Sequence, residues 1–65
     1  MTVEEIKEGV NSGKKVHWMN KAYEVIVDNK DRFLIRCTIN DSYIGLTHID
    51  GVTLNGNEDE FYIKN

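Results

Sequence analysis

Residues 32–39 read Arg32-Phe33-Leu34-Ile35-Arg36-Cys37-Thr38-Ile39, and their alternation decides the fold. Phe33, Ile35, Cys37 and Ile39 fall on one parity; Arg32, Leu34, Arg36 and Thr38 fall on the other. Side chains of an extended chain point alternately to opposite faces, so this period of two predicts a strand with one face in a core and one mainly in water.

The same period continues on both sides. Upstream, Asn29-Lys30-Asp31 reads as a turn, and before it Tyr23, Val25 and Val27 share one face of a strand whose other face carries Glu24 and Asp28. Asn20-Lys21 reads as a tight turn leading back to a strand in which Val16 and Trp18 alternate with His17 and Met19. Downstream, Asn40-Asp41-Ser42 predicts the next turn, and Tyr43 to Thr47 a strand with Ile44 and Leu46 inward and Gly45 allowing a bend. Asp50-Gly51 and Asn55-Gly56 are turn signals bracketing Val52 and Leu54, and the last strand runs from Glu60 to Lys64 with Phe61 and Ile63 inside. Only the first segment departs from this period. Thr2 followed three residues later by Glu5 has capping-box spacing, Val3, Ile6 and Val10 form one helical stripe, and Gly13 is a terminator.

Short strands joined by tight turns without long crossovers specify an antiparallel meander. The expected architecture is mainly β, a single domain with a helix over about 2–12 and a meander over about 15–64, curled into a small five-stranded antiparallel SH3-like barrel. A flat sheet with the helix packed on one face is the alternative. Closure is preferred because it protects edges that the sequence defends only with charges such as Lys15, Lys21 and Lys64.

A chain of 65 residues holds one core. Domains of this size bury only ~60% of the surface exposed on unfolding and rarely gain more than ~3–5 kcal/mol from the core. Cys37 is the single cysteine, so no internal disulfide forms. With no secretory signal at the N-terminus and no apolar run approaching the ~20 residues that span a bilayer, the expected location is cytoplasmic, away from membranes. A formal net charge of −3 argues against a general attraction to nucleic acid.

The residues capable of chemistry are His17, His48, Cys37 and the carboxylates, but their spacing matches no zinc signature. Cys37, between Ile35 and Ile39 on the apolar parity, reads as a buried, inert thiol. Glu58-Asp59-Glu60 cannot all face one cation along an extended chain and reads as a solvated acidic rim. The sequence contains no dinucleotide, P-loop, metalloprotease or nucleophile-elbow motif. The expectation is no enzyme and no cofactor. Trp18, Phe33 and Phe61 have core parity, whereas Tyr43 and Tyr62 have the opposite one. Together with Arg32, Leu34 and Arg36 they make the candidate binding face, on which Glu24 and Asp28 are placed to neutralise the arginines. On this parity Leu34 is either exposed in an interface or packed beneath the helix stripe.

Tyr43-Ile44-Gly45-Leu46-Thr47, Asp50-Gly51-Val52-Thr53-Leu54-Asn55-Gly56 and Glu60-Phe61 resemble the C-terminal half of short uncharacterised proteins of bacteriophages and other mobile elements, and with Val16 to Tyr23 the likeness covers most of the sheet. The resemblance implies a phage or prophage context, no known enzymatic activity, and action by binding a host protein. The functional expectation is a non-enzymatic interaction module that binds a protein partner or itself. Two rivals remain: a small nucleic-acid-binding barrel using Tyr43, Tyr62, Arg32 and Arg36, and a metal or small-molecule site around His17 and His48.

Overall fold

Thr2 caps helix α1 (Val3–Asn11) in both directions. Its hydroxyl accepts from the Glu5 amide at 3.2 Å, and the Glu5 carboxylate accepts from the Thr2 amide at 2.9 Å. The bond from the Thr2 amide is the main cause holding the Glu5 carboxyl below its ordinary range. The helix places Ile6 fully inside and half-buries Val3 and Val10. Gly9 is where it approaches the sheet most tightly, since a Cβ there would stand 3.2 Å from Val16 Cγ2 and 3.4 Å from Ile63 Cδ1.

The computed structural model describes residues 1–64. After the helix come β1 (Lys15–Trp18), β2 (Asn20–Val27), β3 (Phe33–Cys37) and β4 (Ser42–Gly45), then a 3₁₀ turn (Glu58–Glu60) and β5 (Phe61–Lys64). They form one five-stranded sheet of order β4-β3-β2-β1-β5, with every pair antiparallel. The expected closure does not occur. β4 and β5 are the two edges of an open sheet.

Ile6, Val16, Val25, Ile35, Leu46 and Phe61 make the core, with Trp18, Tyr23, Phe33, Leu54 and Ile63 packed around it. Val16, Trp18, Tyr23, Val25, Phe33, Ile35, Phe61 and Ile63 are inner-parity residues of β1, β2, β3 and β5, Leu46 and Leu54 come from the connection after β4, and Ile6 brings the helix to the same side. Lys7 extends this contact, its ammonium 5.4 Å from the centre of the Phe33 ring. Trp18 meets Tyr23 edge-on at 5.1 Å and stacks near Phe61 at 6.3 Å.

Four local expectations need correction. β3 ends at Cys37, because after Thr38 donates to the Ala22 carbonyl the chain turns through residues 38–41 with Asp41 at φ 60°, leaving Ile39 83% exposed. Cys37, at that frayed end, is half-buried rather than enclosed. Ile44 has inner parity, opposite Ile35, yet it is 47% exposed because no strand covers the β4 edge. The reversal assigned to Asn20-Lys21 takes place at Met19, whose φ of 66° turns the chain straight into β2 with a register break beside Trp18.

The long connection after β4 is built on Asp50 and Asn55. One carboxylate oxygen of Asp50 accepts from the Val52 and Thr53 amides at 2.9 Å, and the other from the Thr53 hydroxyl at 2.6 Å. Asn55 ties the loop back, its amide donating to the Leu46 carbonyl and its side chain to the Gly45 carbonyl at 2.8 Å. Among the described residues no helix is long and apolar enough to cross a membrane.

Candidate sheet-face binding site

Directly opposed residues of neighbouring strands point to the same face. The register pairs Tyr43 with Arg36, Arg36 with Glu24, Glu24 with His17, and His17 with Tyr62. One straight row therefore crosses all five strands on the face away from the helix. A second, shorter row beside it pairs Ile26 with Leu34 and Leu34 with Gly45.

Four of the five residues expected on the binding face lie on this surface: Leu34, Arg36, Tyr43 and Tyr62. The tyrosines stand on opposite edge strands, 51% and 38% exposed, so they bracket the face instead of forming one patch with the arginines. Arg32 lies outside β3, in the turn that precedes it, where its Nε reaches Asp28 Oδ2 at 2.7 Å. The Asp28 carboxyl is held below its ordinary range, chiefly by the Arg32 amide and also by the Arg32 side chain and the Lys30 amide. Arg36 is paired with Asp41, Nη2 to Oδ1 at 2.9 Å, and not with Glu24 across the strand pair.

The sequence reading missed Ile26 and His17 as members of this face. Ile26 stands between Val25 and Val27, so its outward parity was visible in the strand pattern. His17 has the outer parity yet is only 5% exposed. Its Nδ1 lies 3.1 Å from the Tyr23 carbonyl, and its ring leans on Tyr62 with centroids 5.5 Å apart. The register of β1 and β2 shifts between His17 and Trp18, an irregularity that alternation does not encode. His48 belongs to the exposed loop after β4. Among the described residues no three His, Cys, Asp or Glu side chains converge as a metal-binding set.

The chain matches no protein family, no curated protein and no solved structure.

Proposed function

We propose that the chain is a non-enzymatic interaction module that binds a protein surface, a second copy of itself included, through the sheet face opposite the helix. The observation that carries this reading is the position of α1. Ile6 and Val10 of its apolar stripe are used on the inner face, and the Ile26–Leu34 pair on the other face is half-buried with no helix or strand over it among the described residues. Arg36 and Tyr43 flank that pair, and arginine and tyrosine beside an apolar centre are the residue types enriched at protein interfaces. The strand order reads as an SH3-like meander left open between β4 and β5. A cytoplasmic location, and a phage or prophage origin with a host protein as partner, rest on the sequence resemblance and the unpaired Cys37.

Sedimentation across a wide concentration range tests the reading. Wild-type protein should gain mass with concentration and Leu34→Asp should stay monomeric, or host protein should be retained by the wild type and not by the variant. A wild-type chain that stays monomeric and retains nothing beyond what Leu34→Asp retains contradicts it.

A further inference from the structure

The β1–β5 end of the outer face carries a group of cations that neither the fold nor the proposed interface uses. Lys15 and Lys64 are cross-strand partners, so two like charges stand directly opposite each other, an arrangement that costs stability. Lys14 and Lys21 join them around an open cleft of about 620 Å³, with Glu24 as its one carboxylate and His17 in its lining. Four of the chain's eight Lys and Arg residues thus gather in one place in a protein of net charge −3. The ion pairs among the described residues, Arg32–Asp28 and Arg36–Asp41, involve none of the four.

His17 gives this cluster a direction. The Tyr23 carbonyl can only accept, so the bond at Nδ1 requires the ring proton there. Nε2 is left buried, without a hydrogen-bond partner among the described residues, on a side chain 95% removed from solvent. An unpartnered buried polar atom is costly to keep. The groups lining the cleft are four ammonium donors on flexible stems, one carboxylate and His17, whose ring the Tyr62 ring packs against.

We propose that this cleft binds a phosphoryl group, its oxygens held by Lys14, Lys15, Lys21 and Lys64, and that the His17 side chain shifts on binding so that Nε2, closed off from solvent in the free protein, shares the phosphoryl proton. A phosphate monoester near neutral pH carries both the negative charge that the lysines lack and, in its singly ionised form, an O–H that a bare Nε2 accepts. If the proton passes to the ring instead, Nε2 becomes the donor and the phosphoryl oxygen the acceptor, and the same contact is kept. Sulfate supplies the charge without the proton.

The test is a titration of the ¹⁵N-labelled protein, followed at the His17 imidazole resonances. The ligands are inorganic phosphate and, at matched ionic strength, sulfate and chloride. Phosphate should give a saturable shift at His17, sulfate a weaker one and chloride none. Uridine 5′-monophosphate distinguishes the source of the group: tighter binding than phosphate assigns a nucleotide stacked on Tyr62, and equal binding assigns the phosphoryl group alone. Lys15→Gln should weaken phosphate binding by about tenfold, the loss of one charge-assisted bond. The same variant should raise the melting temperature of the free protein, because it removes the like-charge pair; Lys64→Gln should do both as well. A chloride response equal to that of phosphate, or unchanged affinity in both lysine variants, overturns the proposal.

Discussion

Gly56 adopts a φ of 142°, and a Cβ built there would lie 2.7 Å from Trp18 Nε1, the nitrogen that also reaches Glu60 Oε1 at 3.4 Å. Gly56→Ala combines a left-handed backbone penalty with a collision against a ring packed on Phe61, and should cost ~2 kcal/mol or more. A thermal melt with tryptophan fluorescence checks this; a variant melting with the wild type would place the Trp18 ring elsewhere. Asp50 offers a different single-residue test. The Thr53 hydroxyl, followed by the Thr53 and Val52 amides, lowers its pKa to about 2 from an ordinary 3.8. A carboxylate depressed in the folded state contributes stability that is present above the unfolded pKa and lost as pH falls through the folded one. Asp50→Asn should therefore be less stable than wild type at pH 7, and the gap should close between about pH 4 and pH 2. A gap independent of pH would show that these bonds do not select the ionised form. Asn55-Gly56 and Asp50-Gly51 were legible as turns, but the reach of Asn55 back to Gly45 was not, because that bond spans ten residues of sequence.

At the scale of elements, α1 and the centres of the strands followed from local pattern alone. Thr2 and Glu5 form the capping box their spacing predicts, and Thr2→Ala should lower the melting temperature by ~4–8 °C, since a lost cap is a sizeable fraction of the stability of so small a domain. Circular dichroism melts of that variant measure it directly, and an unchanged midpoint would mean that the helix is held by Ile6 and Gly9 without help from its cap. Strand ends were harder to read. Ile39 continues the alternation of β3 perfectly, yet the turn at residues 38–41 takes it out of the sheet. Ile44 keeps its inner parity but lies on an edge strand that no other strand covers among the described residues. For Ile44 the pattern named the face correctly, whereas Ile39 has no face because the strand has already ended; in both cases exposure was decided by where strands stop or fail to meet.

For the whole molecule, the open sheet and the single helix together define what is available for binding. The helix could have covered either face, and the sequence left open for Leu34 both a place beneath the stripe of Val3, Ile6 and Val10 and a place in an interface. The structure packs Ile6 and Val10 of the stripe with Val16, Val25, Ile35 and Leu46, and among the described residues no helix or strand lies over Leu34 on the other face. Arg36, Tyr43 and Tyr62 were identifiable from parity, whereas the five-strand row joining them through Glu24 and His17 depends on register, which alternation alone does not fix. The most direct test is a paired melt of Leu34→Asp and Ile35→Asp, neighbours of opposite parity on β3. Leu34→Asp should melt within ~8 °C of wild type, the shift that the ~1 kcal/mol span of strand preferences allows. Ile35→Asp, which puts a carboxylate at a position 1% exposed in the core, should not fold. A Leu34→Asp variant that also fails to fold would contradict the assignment of the free face.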